Sequence, residues 1–256
     1  MLYLYCVNED VSSNYKQKTM KNLKVILLIL SIISFNSCST QKQIPFTWKS
    51  FDSNGKQYER GFMFVPISFP EIPKKFQMQF DLGANVSLIY ENSLDTIIAK
   101  HPNFQTKIVK LNDKFRMVKT NFKLGNYVPD NDSLFIYPKY GDKTNFDNLS
   151  KIGSIGANLI SSKILIIDFP NKTLKIKKSM SENEKDKFVC TDLENKNGKL
   201  VIKLKINNKL YNFLYDSGAS AFPIITTDKN FYDLLTGAEK IDEEKITGNS
   251  WGNKII

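Results

Sequence analysis

The chain has 256 residues, of which 41% are hydrophobic, enough for a packed core in one large domain or two lobes. The formal net charge of +10 comes almost entirely from lysine, and only two arginines are present. This argues against nucleic-acid binding, because recognition of bases and phosphates relies on clustered arginines. Cys6, Cys38, Cys190 and the single histidine, His101, form no spaced metal-ligand set and no Ser-His or Cys-His nucleophile. Carboxylates therefore become the default carriers of acid–base chemistry, and neither a metal nor a cofactor is expected.

The N-terminal region predicts an export signal. Residues 20–24 are basic, and residues 25–35 form an apolar run that is too short to span a bilayer comfortably. Ser37 and Cys38 follow, in an order that resembles the lipobox of bacterial lipoproteins, although the two residues before Ser37 depart from the usual pattern. The alternative is an ordinary signal peptide with a nearby cysteine.

This interpretation divides the N-terminal region into three segments. We expect translation to start at Met20, which makes residues 1–19 an N-terminal extension that arises as a start-site artefact and lies outside the fold. Residues 20–37 are then the lipoprotein-type signal peptide, and residues 38–44 are a tether. The mature protein is expected at the cell envelope, held in the membrane by lipid on Cys38 (periplasmic or outer membrane), or secreted.

The remainder of the chain is patterned as strands. Short apolar runs alternate with Asn, Asp, Gly or Pro turn signals, and helical periodicity is weak. This pattern predicts an all-β fold, either a barrel or a sandwich. The predicted strands lie at residues 61–68, 76–80, 107–111, 115–119, 122–124, 134–137, 164–169, 174–176, 200–206 and 210–215, and the best helix candidates at 90–100 and 228–235.

One pattern occurs twice in the chain. A strand, a turn and a second strand precede residues 81–85 (DLGAN), and the same order precedes residues 216–220 (DSGAS). The offset of about 135 residues indicates an internal duplication. We therefore expect a first lobe at residues 45–178, a charged linker at 179–196 and a partial second lobe at 197–256.

Each copy ends its apolar run with an aspartate, Asp81 in the first and Asp216 in the second. A carboxylate at the end of a buried strand is costly, and burial favours its neutral form by raising its pKa. Two such carboxyl groups brought together can share one proton, which provides an acid and a base in the same site.

A third segment, residues 152–160 (IGSIGANLI), completes a resemblance to the retropepsin-like and pepsin-like aspartic proteases. The lobes of that family carry Asp-Thr/Ser-Gly-Ala after a strand. A segment of two hydrophobic residues, Gly, any residue, Asn or Asp, and two hydrophobic residues follows later. The resemblance covers residues 57–178 as a complete lobe and 197–256 as an incomplete one. It implies an acid-protease-like barrel in the first lobe.

The resemblance also implies roles for individual residues. The catalytic pair is expected to be Asp81 and Asp216. The residues expected to support the two turns are Gly83, Ala84, Ser217, Gly218 and Ala219. The residues expected beside the catalytic turn, where a glycine permits close backbone approach, are Ile155, Gly156 and Asn158.

The activity that the resemblance implies is that of an aspartic endopeptidase acting on a peptide or protein. One aspartate, ionised, takes a proton from a water molecule held between the pair. The other, protonated, hydrogen-bonds the carbonyl of the scissile bond and later returns the proton.

Two departures from the family pattern leave open whether the chain is an enzyme. Leu82 stands where the family has Thr or Ser, whose hydroxyl hydrogen-bonds across the pair; only Ser217 keeps that hydroxyl. About 40 residues follow Asp216, so the second copy lacks its own hydrophobic-Gly segment, as in a truncated gene or a degenerate lobe. One alternative is a catalytically inactive, retropepsin-like binding lipoprotein at the cell envelope. A less favoured one is a homodimer in which Asp81 meets its symmetry mate.

Overall fold

The part of the chain that the structure describes is mostly β, and the all-β class predicted from the sequence is confirmed. The computed structural model describes residues 4–6, 43–186, 188, 193–222, 224–226, 228–236, 248–250 and 253–255.

The strands among these residues are short and follow one another closely. In chain order they are β1 (Leu4–Cys6), β2 (Gln43–Pro45), β3 (Thr47–Ser53), β4 (Lys56–Ser68), β5 (Lys75–Phe80), β6 (Leu88–Tyr90), β7 (Ile108–Lys110), β8 (Arg116–Lys119), β9 (Lys123–Leu124), β10 (Ser133–Tyr137), β11 (Lys151–Ile155), β12 (Ile164–Asp168), β13 (Thr173–Lys177), β14 (Leu193–Lys196), β15 (Lys199–Ile206), β16 (Lys209–Leu214), β17 (Gly248–Ser250) and β18 (Asn253–Ile255). The α-helices are α1 (Glu91–Lys100), α2 (Glu182–Lys185) and α3 (Lys229–Thr236), and 3₁₀ helices span Pro102–Lys107, Ala157–Ile160 and Ser217–Ala219.

The largest sheet has nine strands in the order β3-β4-β5-β11-β6-β10-β8-β7, with β9 paired to β4. Strand β11 lies between β5, to which it is parallel, and β6, to which it is antiparallel. Because β3 and β7 stay at opposite ends, this sheet is open, and the part of the chain that the structure describes contains no closed barrel. In place of the barrel expected for the first lobe, the structure has an open sheet of nine strands.

A second sheet of four strands has the order β1-β12-β13-β2. Strand β1 pairs in parallel with β12, Leu4 opposite Leu165 and Cys6 opposite Ile167. Strand β1 belongs to residues 1–19, which we expected to lie outside the fold. Its pairing gives β12 a neighbour on both edges, whereas an edge strand would leave a row of backbone groups unpaired.

The hydrophobic core lies where the large sheet packs against the elements that cover it. On β5, Phe76, Met78 and Phe80 are fully buried, and Leu94 and Ile97 bring the apolar face of α1 against the same cluster. Strand β5 pairs with β4 and β11 along its two edges, and residues 76–80 are all buried, so both of its faces are covered as well. The strand therefore delivers the residue that follows it, Asp81, into an enclosed environment.

The second copy is a three-stranded sheet, β14-β15-β16. Leu200 of β15 belongs to the main core cluster, so this sheet is packed on the first lobe. Phe231 of α3 is buried against the rings of Tyr211 and Phe213, with centroid distances of 4.9 and 5.4 Å. The order hairpin, aspartate turn, helix is therefore present in both copies.

Residues 20–37 and Cys38, on which the predicted export signal and lipid anchor rest, lie outside the described residues. Among those that are described, no helix is both long enough and apolar enough to cross a membrane.

Candidate active site

The first aspartate turn follows β5 directly. The Asp81 N–H donates to Ile155 O at 2.9 Å, which anchors the turn to β11. The Gly83 and Ala84 N–H groups donate to Asp81 Oδ1 at 3.1 and 3.2 Å. Asp81 is 8% exposed. The Asp81 carboxylate is thus buried, and it accepts hydrogen bonds from the backbone of its own turn.

The second aspartate turn has the same form but a more open setting. The Gly218 N–H donates to Asp216 Oδ1 at 2.8 Å, at the start of the 3₁₀ helix. Asp216 is exposed, because β16 is an edge strand whose Leu210 and Leu214 also face solvent. The expectation that each aspartate ends a buried strand therefore applies to Asp81 alone.

The two turns pack against each other reciprocally. A Cβ atom built on Gly83 would lie 2.5 Å from Asp216 Cγ, and one built on Gly218 would lie 2.5 Å from Asp81 Oδ1. Each carboxyl group therefore lies over the glycine of the other turn, a place that only a residue without a side chain can provide. The Asp81 and Asp216 side chains come within hydrogen-bonding reach of each other, inside a single chain.

A hydroxyl group joins the two turns on one side. Ser217 Oγ accepts the Leu82 N–H at 3.0 Å and donates to Phe80 O at 2.8 Å. Ser217 is buried, so both bonds are shielded from water. This is the cross-turn hydroxyl that the sequence led us to expect of Ser217.

Leu82 provides no equivalent on the other side. Its side chain is fully buried and belongs to the main hydrophobic cluster. The first turn is therefore held by packing in the core, and the second by the hydroxyl of Ser217.

The electrostatics of the site depend on Asp81. Burial, followed by the negative charge of Asp216, raises the pKa of Asp81 to about 6, and the N–H donors of Ala84 and Gly83 oppose that shift. A carboxyl group with this pKa can hold a proton in mildly acidic solution. The pair can therefore carry one proton and one negative charge at the same time.

The segment after β11 lies directly beside the Asp81 turn. The Ala157 N–H donates to Ala84 O at 2.8 Å. Gly156 makes the closest approach, because a Cβ atom there would lie 2.4 Å from Val86 O. Asn158 is tied to the same turn: its Oδ1 accepts the hydroxyl of Ser87 at 2.9 Å. Of the residues predicted for this segment, Ile155, Gly156 and Asn158 all contact the turn or the strand end that follows it.

Sequence reasoning missed four polar residues around the pair: Gln79, Tyr90, Lys151 and Ser154. Tyr90 OH and Ser154 Oγ are 2.8 Å apart in a buried hydrogen bond, and burial raises the pKa of Tyr90. Gln79 and Lys151 form a separate bridge, described below. Alternation along β5 could have identified Gln79, because its side chain lies on the opposite face of the strand from those of its neighbours Met78 and Phe80.

Two further features bear on the type of site: metal-binding clusters and surface clefts. The described residues contain no cluster of three or more His, Cys, Asp or Glu side chains that could hold a metal ion. A cleft of about 450 Å³ is lined by residues of β3, β4 and the β12–β13 turn, including Trp48, Arg60 and Phe169, none of which belongs to either aspartate turn.

The chain matches no protein-family model and no curated protein sequence.

Proposed function

We propose that this protein is an aspartic endopeptidase, which hydrolyses peptide bonds with a water molecule activated by Asp81 and Asp216. The single observation that carries the proposal is the reciprocal packing of the two carboxyl groups over Gly83 and Gly218. Structural ion networks rarely bring two carboxyl groups together, since their charges repel and one must be neutralised. Such an arrangement is useful when one group is to act as the acid and the other as the base.

In the proposed reaction the ionised carboxylate takes a proton from the bound water, and the protonated carboxyl group hydrogen-bonds the carbonyl oxygen of the scissile bond. The water oxygen adds to the carbonyl carbon, the carboxyl group that took the proton from water gives it to the leaving nitrogen, and the carbon–nitrogen bond breaks to leave a carboxylic acid and an amine. Water supplies every atom that is added, so no cofactor is required. The greater exposure of Asp216 makes it the side of the pair that a peptide reaches first.

The alternative is a catalytically inactive, retropepsin-like binding lipoprotein, and one observation favours it. Leu82 is buried in the core, so only one of the two turns contributes a hydroxyl across the pair. A pair that is held from one side only can keep its cleft while losing the accuracy that catalysis demands.

Hydrolysis of an unfolded protein between about pH 3 and pH 8 separates the two functions. We expect a bell-shaped profile with two apparent pKa values that belong to the pair, and an optimum on the acid side of neutrality. Asp81→Asn and Asp216→Asn should each abolish activity. Asp168→Asn, at the end of β12, is the matched control and should remain active. Full activity in either variant of the pair rules out the mechanism, and no hydrolysis by folded protein favours the binding lipoprotein.

We also propose that the protein is anchored at the cell envelope by lipid on Cys38. The support is the order of basic, apolar and Ser-Cys segments in the sequence. Mass spectrometry of the membrane-extracted protein should find a lipid-modified N-terminus at Cys38, and Cys38→Ala should release the protein or leave its signal uncleaved. A soluble product cleaved at another residue would contradict the proposal.

A further inference from the structure

Lys151, the first residue of β11, directs its ammonium group into the protein. Its Nζ donates to Gln79 Oε1 at 2.9 Å. The same nitrogen lies 5.3 Å from the centre of the Tyr90 ring and 5.7 Å from that of Phe64. Enclosing a lysine ammonium group in this way costs free energy unless another interaction of its charge compensates, because water is replaced by two rings and one amide oxygen.

Gln79 extends the contact to the second aspartate turn. Its oxygen accepts from Lys151, and its Nε2 donates to Gly218 O at 3.2 Å. The Gly218 N–H in turn donates to Asp216 Oδ1, and its α-carbon lies against the carboxyl group of Asp81. Because Lys151 engages the oxygen of the amide, the nitrogen of Gln79 is directed towards Gly218.

The charges around Lys151 also link it to the pair. Burial lowers the pKa of Lys151, while the negative charges of Asp81 and Asp142 oppose that shift. The phenol of Tyr90 faces the ammonium group and stays neutral, since burial raises its pKa. Asp142 follows β10 and Asp81 follows β5, so Lys151 lies in the field of two carboxyl groups from different elements.

We propose that Lys151 and Gln79 are positioning residues for the aspartate pair: the ammonium group favours the ionised form of the pair and, through Gln79, fixes the Gly218 backbone against it. The proposal rests on the proposed function in that the pair is taken to be reactive. The two contacts themselves stand without it.

The test is the substitution Lys151→Met, which keeps the length of the side chain and removes its charge. Without the positive charge of Lys151, which interacts with Asp81 through space, the apparent pKa values of the pair should rise by up to about one unit, less than a directly paired opposite charge would produce. Both limbs of the pH profile should therefore move to higher pH, and kcat should fall by about tenfold or less because Gly218 is held less firmly. Lys151→Arg, which keeps the charge, should restore the wild-type pH profile.

The matched control is Lys163→Met. Lys163 is also largely buried, but its partners are Asp130 and Tyr127, and neither belongs to the pair. This variant should lose stability without any displacement of the pH profile. Gln79→Leu separates the two roles of the bridge: it should lower kcat while the pH profile moves less than in Lys151→Met.

A second measurement does not depend on activity. Carboxyl ¹³C shifts of the aspartates, titrated in the wild type, Lys151→Met and Lys163→Met, report the protonation of the pair directly. A rise in the apparent pKa values confined to Lys151→Met supports the proposal even if no variant hydrolyses peptides, in which case only the proposed function fails. Active enzyme with unchanged profiles and unchanged ¹³C titration overturns the proposal. If Lys151→Met does not fold, Lys151→Gln is titrated in the same way.

Discussion

The Leu82 N–H donates to the hydroxyl oxygen of Ser217 at 3.0 Å, across 135 residues of sequence. These are equivalent positions of the two duplicated turns, yet only one of them carries a hydroxyl. The two turns therefore differ in sequence at the place where they touch. Ser217 binds the opposite backbone, and Leu82 fills the core.

Ser217→Ala should destabilise the protein by about 1–3 kcal/mol, since it leaves the Leu82 N–H without its partner in a buried environment. Urea denaturation measures the change in the free energy of unfolding. Ser220→Ala is the matched control: it removes a hydroxyl that bonds only within its own turn, to Ser217 O at 2.6 Å, and should cost less. Equal costs in the two variants would show that the bond between the turns is not special.

Asp81→Asn should change stability in a way that depends on pH. The folded-state pKa of about 6 lies above the ordinary aspartate value of 3.8, so the folded protein holds the proton more tightly than the unfolded chain. The stability that the protonated Asp81 carboxyl group contributes to the wild-type protein is thus present at low pH, and it is lost as the pH rises through about 6. Relative to wild type, Asp81→Asn should therefore gain about 1–3 kcal/mol between about pH 3.5 and pH 7.5.

Denaturation curves at both pH values provide the measurement for Asp81→Asn. In an Asp216→Asn background the same substitution should have a smaller effect, because the charge of Asp216 is gone while burial persists. A pH-independent difference between Asp81→Asn and wild type would contradict the raised pKa of Asp81.

Gly83→Ala and Gly218→Ala should differ although both introduce one methyl group. The methyl at residue 83 meets the exposed Asp216 carboxyl, which can turn away into solvent, so activity should fall with little loss of stability. The methyl at residue 218 meets the buried Asp81 carboxyl group, which has no room to move, so activity and stability should both fall. Thermal unfolding together with peptide hydrolysis would distinguish the two, and identical losses of stability would refute this asymmetry.

Leu82→Thr restores the residue type of the aspartic proteases, yet it should destabilise this protein. The Leu82 side chain is fully buried in the apolar cluster, so the substitution removes packing and buries a hydroxyl there. We expect a cost of about 1–3 kcal/mol. Leu82→Met, which conserves volume, is the control and should cost less than about 1.5 kcal/mol. A stabilised Leu82→Thr variant would mean that the hydroxyl finds a partner across the pair.

Much of the local structure could be predicted from the sequence because apolar runs and turn residues are local signals. Strands β4, β5, β12 and β13 and helix α1 lie within a few residues of their predicted positions. Strand β3 was missed because its residues, TWKSFDS, alternate poorly and include several polar side chains. The order of the strands could not be predicted, since pairing between distant segments leaves no local pattern.

The candidate site divides in the same way. Asp81 and Asp216 could be identified because each ends a hairpin and precedes a Gly-Ala pair separated from it by one residue. The bridge from Lys151 to Gln79 could not, because it joins side chains 72 residues apart whose types are unremarkable by themselves. The exposure of Asp216 depends on β16 being an edge strand, which is a property of the assembled sheet.

The position of β11 between β5 and β6 has a consequence for how the protein folds. Met78 pairs with Gly153, about 75 residues later in the chain, so the Asp81 turn is synthesised long before the strand that anchors it. Pairing over such a distance is slow, and until it occurs β5 and β6 present bare edges to other chains. The aspartate turn should therefore become rigid among the last steps of folding. A product that ends before β11 should aggregate or require a chaperone.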